Sequence, residues 1–299
     1  MAPTTFDPSK DIPSLTGKII LITGGTAGVG AGTITGLARC TPAHLLFTGR
    51  NADSAETTIS KVRAVAPGIR ISFLPCDLSD LASVQTTANK LLSDLPHLDA
   101  LMCNAGIMAK PPSLSRDGYE IQFATNHLGH ALLVKKLLPL LQKSPDPRIV
   151  MVSSTAWRGA PSGGIQFPKL KSPQDMPMGR WLRYGQSKLA NMLYARELAK
   201  RFPGVLSFSI TPGVVNTALV SESSPFTKAI VYLTSRVQTV EEGTHNLLWA
   251  ITAPKETIKP GAFYEPVGLL STLATKASKD EALAETLWNW TEAELEKWM

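Results

Sequence analysis

The 299-residue chain has no apolar run approaching the length of a bilayer crossing, no low-complexity tract, no internal repeat and no block of basic residues. Each absence removes a class. Without a long apolar segment a membrane-spanning protein is not expected. The opening MAPTTFDPSKDIPSL has neither a basic start nor a hydrophobic stretch, so no secretory signal or membrane anchor is expected and the protein reads as cytoplasmic. Cysteine is scarce. Cys40, Cys76 and Cys103 are odd in number and scattered, without metal-ligand spacing; this argues against a disulfide framework, leaves three reduced structural thiols and predicts no bound metal. Lysine plus arginine total 30 against 24 acidic residues, a net +6, but they are spread along the chain with no nucleic-acid module. An anionic cofactor accounts for the excess more simply than a nucleic acid.

What is present is a globular composition, 43% hydrophobic and 18% charged. Short apolar runs alternate with longer amphipathic stretches, the pattern of strands buried on both faces of a parallel sheet with crossover helices. The strands are expected at 18–23, 44–49, 69–75, 98–103, 148–153, 205–210 and 261–265. Helices are expected at 52–65, 80–95, 118–142, 182–201 and 240–252, most of them stopped by proline or glycine. This predicts one α/β domain over 1–299, a doubly wound, Rossmann-type sheet of about seven strands with helices on both faces. Two segments break the rhythm. Residues 158–181 and 214–238 follow strands, and since ligands bind beyond the carboxyl ends of strands in such sheets, 214–238 is the expected substrate lid.

Directly after the first strand comes TGGTAGVG, with Gly24, Gly28 and Gly30 leading into a helix. Glycines there let the backbone bend tightly and approach a pyrophosphate, whose charge is stabilised by free N–H groups and the helix N-terminus. The spacing is GxxxGxG rather than GxGxxG. With CDLSD after the third strand, CNAG at the fourth, NHLGH in the next helix, VSS at the fifth strand, YGQSK opening the following helix and PGVVNT after the sixth, the order resembles the short-chain dehydrogenase/reductase family over about residues 17–265. RDGYEIQFATNHLGHALL and YGQSKLANMLYARELAKR look most like its retinol-dehydrogenase-like branch.

The resemblance implies NADP(H)-linked redox chemistry at a carbonyl or alcohol of an apolar small molecule. It assigns Tyr184 as general acid in reduction and base in oxidation, Lys188 as the group that favours the tyrosinate and holds the nicotinamide ribose, Ser154 as donor to the substrate oxygen, and Asn126 as holder of a water behind the lysine. Physically, Tyr184 and Lys188 stand one helical turn apart on one face, and an adjacent ammonium together with an oxidised nicotinamide is expected to lower the tyrosine pKa. The cofactor is expected to lie against Gly24, Thr26, Gly28, Val29 and Gly30, then Asp77 and Leu78, then Asn104, Ala105 and Gly106, and finally Pro212, Gly213, Val215 and Thr217. At the end of the second strand an NAD enzyme would offer a carboxylate to the ribose, whereas this chain has Arg50 and Asn51, which predicts NADPH/NADP+.

Ser154 and Tyr184 are 30 positions apart, so 158–181 must loop out and return. His127 and His130 lack a third ligand at metal spacing and read as surface or packing residues. The tryptophan-rich 278–299 reads as a helical extension capped at Thr291 and packed on the sheet or the lid. A homodimer through helices 118–142 and 182–201 is possible. Two other readings stay open: a catalytically silent dinucleotide sensor or scaffold, and a reductase acting on C=C or imine bonds, with or without cyclisation.

Overall fold

The computed structural model describes residues 6–216 and 237–299. Seven parallel strands form one sheet: β1 Ile19–Thr23, β2 His44–Gly49, β3 Ile71–Pro75, β4 Ala100–Cys103, β5 Arg148–Val152, β6 Leu206–Ile210 and, last in the chain, β9 Phe263–Tyr264, in the order β3-β2-β1-β4-β5-β6-β9. β1 registers Ile19–Thr23 against His44–Thr48 on one side and Ile20–Ile22 against Ala100–Met102 on the other. A two-residue ladder, β7 (Val214–Val215) with β8 (Val237–Gln238), joins the chain on either side of 217–236. The expected lid and Thr217 therefore lie largely outside the described residues.

Alternate residues of each strand feed opposite layers. Ile20 and Ile22 join Ile34, Leu37 and Leu247 on one face, under α1 (Gly28–Ala38), α2 (Ala52–Val65) and α6 (Val240–Thr252). Ile19 and Leu21 join Leu91, Leu133 and Leu193 on the other, under α3 (Leu81–Asp94), α4 (Gly129–Leu141) and α5 (Gly179–Arg201). Burial on both faces is why β1, β4 and β5 read as unbroken apolar runs. Helix starts follow local chemistry. Asp80 accepts from the N–H groups of Ala82 and Ser83 at the head of α3, and Thr239 with Glu242 forms a reciprocal capping box at α6.

Four expectations need correction. The helix expected over 118–142 is interrupted, because Ala124–Leu128 form a π turn before α4. α5 begins at Gly179, three residues before the expected start at 182, after Met178 in the left-handed region. Thr291 caps nothing: it lies inside α7 (Glu281–Leu295), fully buried, where its hydroxyl bonds His127. Among the described residues the main partner of α7 is a helix rather than the sheet, and the lid, its other expected partner, lies largely outside them. α7 packs on α5, with Trp288 stacked on Tyr194 at 5.1 Å.

Candidate active site

The sheet order reverses between β1 and β4, and the crevice beyond their carboxyl ends is where an α/β sheet presents a ligand site. Gly24 turns the chain out of β1 with φ +70, and a Cβ there would lie 2.8 Å from Ala105 Cα. A Cβ on Gly30 would lie 2.2 Å from the Gly24 carbonyl. Only glycine lets the turn fold this tightly against β4. α1 then starts at Gly28 with Ala27 as N-cap, which supplies no side-chain bond, so the first-turn N–H groups remain available to an anion.

A cleft of about 700 Å³ opens here. Gly24, Thr26, Gly28, Val29 and Gly30 form one wall. Arg50, Asp77 and Leu78 line a second part, and Asn104, Ala105 and Gly106 a third. The cradle that a Cβ would fill, the uncapped helix end and the volume all fit a dinucleotide.

Arg50 is exposed at the end of β2 and has no ion-pair partner among the described residues. The Asp77 carboxylate is already engaged by the backbone N–H and hydroxyl of Ser79, at 2.9 and 2.7 Å. Asn51, expected as a second donor beside Arg50, is not among the residues that line the cleft, and its side-chain oxygen caps α2 by accepting from Ser54 N–H at 2.8 Å. Ser54 instead lines the cleft beside Arg50. Sequence reasoning missed it because its signal, a hydroxyl in the first turn after a strand-end arginine, is shared by many exposed helix starts.

On the far side of β4 the reaction groups converge. Ser154 follows β5 and begins a 3₁₀ turn, accepting from Ala156 N–H at 3.2 Å. The insertion does loop out and return: Gln186 accepts from Gln166 N–H at 2.8 Å, and Arg183 donates to the Gln174 carbonyl at 2.7 Å. Tyr184 is thereby brought close to Ser154. Burial pushes the Tyr184 pKa up to about 12, and the nearby Ser154 hydroxyl, which favours the tyrosinate, only partly opposes it. Desolvation sets the direction, opposite to the lowering expected beside an ammonium and an oxidised nicotinamide. Lys188 is buried one turn on, its Nζ 5.8 Å from the Tyr184 ring centroid and donating to the Val152 carbonyl at 3.0 Å. Burial draws its pKa down to about 8. Ser153, read as finishing the strand, donates to the Lys188 carbonyl at 2.7 Å and so anchors the helix behind the lysine.

Asn126 sits in the π turn, fully buried. Its side chain accepts from Ile107 N–H at 2.8 Å and donates to the Ile107 carbonyl at 3.0 Å and to Ser187 Oγ at 2.9 Å. The amide is thus committed to the loop after β4. Gly106 separates Asn126 from Lys188: a Cβ on it would meet Asn126 Oδ1 at 3.1 Å and Lys188 Nζ at 3.4 Å.

Beyond β6, Gly213 takes φ +82 and donates its N–H to Thr211 Oγ1 at 3.1 Å, after Pro212. Val215 packs against Gly243 of α6. A buried ion pair adjoins the tyrosine: Arg183 Nε lies 3.0 Å from Glu120 Oε1, with both side chains almost wholly buried. Arg183 also donates to the Lys110 carbonyl at 2.9 Å, tying the loop after β4 to α5. Nothing local in the sequence marks this pair, since its partners come from separate segments.

Comparison with known proteins agrees with this fold and identifies its family. The family model described as short chain dehydrogenase matches residues 18–165. An uncharacterized oxidoreductase of Schizosaccharomyces pombe is 36% identical over 297 residues, covering 94% of this chain and 86% of that protein. Retinol dehydrogenase 12 of Homo sapiens is 34% identical over 279 residues, covering 92% and 85%. Among solved structures, an uncharacterized protein from Mycobacterium paratuberculosis superposes with a TM-score of 0.74 at 29% identity, covering 96% of both chains.

Proposed function

Since the chain belongs to the short-chain dehydrogenase/reductase family, we propose that it is an NADP(H)-dependent oxidoreductase acting at the carbonyl or alcohol of an apolar small molecule. The observation that carries the reading is the convergence of Ser154, Tyr184 and Lys188 beside the β1–β4 crevice, despite the 30 positions between serine and tyrosine.

The bound dinucleotide supplies or accepts the hydride. The chain's own residues handle the proton and the developing charge. Tyr184, protonated at neutral pH because it is buried, donates its proton to the substrate oxygen in reduction. Ser154 donates a hydrogen bond to the same oxygen as negative charge grows on it. Lys188 spends one donor on the Val152 carbonyl and keeps the rest for a ribose hydroxyl and for stabilising tyrosinate when it forms. The first-turn amides of α1 hold the diphosphate.

Preference for the 2′-phosphorylated cofactor is supported by Arg50, an exposed cation at the cleft edge, with Ser54 beside it as a second donor. The apolar substrate is supported by the relative named a retinol dehydrogenase, retinol being an apolar alcohol. The test is a panel of aldehydes, ketones and alcohols, apolar and polar, followed through NADPH and NADH absorbance. Turnover of apolar carbonyls with NADPH is expected. A protein that binds NADPH yet turns over none of the panel would instead be the silent sensor.

A further inference from the structure

His130 is fully buried, and both ring nitrogens are within hydrogen-bond range of a partner. Nδ1 lies 2.9 Å from the Asn126 carbonyl oxygen and Nε2 lies 2.8 Å from Thr23 Oγ1. A carbonyl only accepts, so Nδ1 must carry a proton. Burial and the charge of Lys188 both oppose a second proton, drawing the His130 pKa down to about 4, so Nε2 is bare and accepts from the Thr23 hydroxyl. That hydroxyl in turn accepts from the N–H groups of Asn104 and Ala105, each at 2.9 Å, while its competing acceptor, the Met102 carbonyl, is at 3.4 Å. Every proton in the chain has one place.

The bonds run from the end of β4 through the last residue of β1 to His130 and on to Asn126. From there the Asn126 amide returns to Ile107, just past the Asn104–Gly106 wall of the cleft. The link ends in the π turn of residues 124–128, where the regular helical ladder is interrupted and backbone carbonyls are released to other partners. Asn126 in turn borders Lys188 across Gly106.

We propose that His130 is a positioning residue, held as the neutral Nδ1–H tautomer, that couples the dinucleotide cradle at the ends of β1 and β4 to the Asn126 peptide beside Lys188. A ring that only filled space would have no reason to hold this tautomer and would be replaceable by an apolar side chain. The tautomer stands on the hydrogen-bond geometry, in which Thr23 Oγ1 already accepts from two N–H groups, together with the burial that opposes a second proton, whereas the coupling to a dinucleotide rests on the function proposed above.

Two measurements on the full chain test it. The first is a long-range ¹H–¹⁵N correlation spectrum of histidine-labelled protein at neutral pH, with His130 assigned by its loss in His130→Gln. A protonated Nδ1 and a bare Nε2 are expected; a ring protonated at Nε2 overturns the proposal. The second is fluorescence titration with NADPH. The amide of glutamine can place its oxygen where Nε2 stands and keep the bond to Thr23, while leucine keeps neither bond. Affinity is expected to fall about tenfold in His130→Leu, which loses both bonds, and by less in His130→Gln, which keeps the Thr23 bond and loses only the one to Asn126. Parent-like binding by the leucine variant overturns the coupling. If His130→Leu does not fold, His130→Asn takes its place: it keeps the Asn126 bond and loses Thr23, so it should bind more weakly than His130→Gln, and equal affinities overturn the coupling. A parent that binds no NADPH refutes the proposed cofactor and, with it, the coupling, while the spectrum still decides the tautomer.

Discussion

Tyr184 is the residue on which the proposed chemistry turns. Burial pushes its pKa up to about 12, so at neutral pH the phenol is in the protonated form that the proposed reduction needs in its acid. Tyr184→Phe removes only the transferable proton, and should leave NADPH affinity within about threefold while lowering kcat on a confirmed substrate by about 10²–10⁴. Near-parent kcat in this variant would exclude Tyr184 as the acid. Arg50 governs a different quantity. It meets no carboxylate among the described residues, so its charge is free for a phosphate at the cleft edge. The parent should favour NADPH over NADH by about tenfold or more in kcat/KM, equivalent to at least about 1.4 kcal/mol. Arg50→Ala should erase most of that preference. An unchanged ratio would remove Arg50 from the cofactor site.

At the scale of elements, the inner strands β1, β4 and β5 were legible because each is buried on both faces and so writes a nearly unbroken apolar run; β2 and α2 begin and end where the sequence pattern places them. The glycine turn was legible because backbone geometry restricts which residues can stand there, and the tyrosine–lysine pair because it falls in order among the other motifs. What was not legible depends on partners distant in the chain. Thr291 looks like a cap in isolation, yet becomes a helix-interior hydroxyl because buried His127 needs a partner. His130 looks like packing until Thr23 and Asn126 are placed around it. Asp99, just before β4, is a further case. Its carboxylate accepts from Ile19 N–H at 2.8 Å, Ser144 Oγ at 2.7 Å and Lys18 Nζ at 3.2 Å, knitting β1 to β4 and to the end of α4. Burial alone would raise its pKa, but these bonds outweigh it and hold the carboxyl below its ordinary 3.8. A depressed folded value means that the stabilisation is complete above the unfolded pKa and is lost as pH falls through the folded one. Asp99→Asn should therefore cost about 1–3 kcal/mol in urea unfolding at pH 7, and the gap to the parent should narrow as the pH is lowered below about 4. A gap that stays constant into acid would show that the charge of Asp99 contributes nothing.

For the whole molecule, the position of α7 decides which surfaces remain open. The outward face of α4 and α5, where the sequence left room for a dimer, is occupied in cis. Trp288 stacks on Tyr194, Lys135 pairs with Glu292 at 2.7 Å, Arg196 pairs with Glu281 at 2.9 Å, and Leu287 and Leu295 are fully buried. A second copy docking through the same helices would have to displace this apolar and charged cover, losing buried tryptophan and leucine area at about 25 cal/mol per Å² before gaining any of its own. The intact chain should accordingly sediment with the mass of one chain at micromolar concentration. Ending the chain at Asp280 would uncover Tyr194 and the buried edge of α5 as a contiguous apolar patch, and patches of that kind drive association. The shortened protein should self-associate or precipitate while the intact chain does not. An intact chain that sediments as a dimer, with Trp288→Ala leaving that dimer unchanged, would show that association uses a surface other than the one α7 covers.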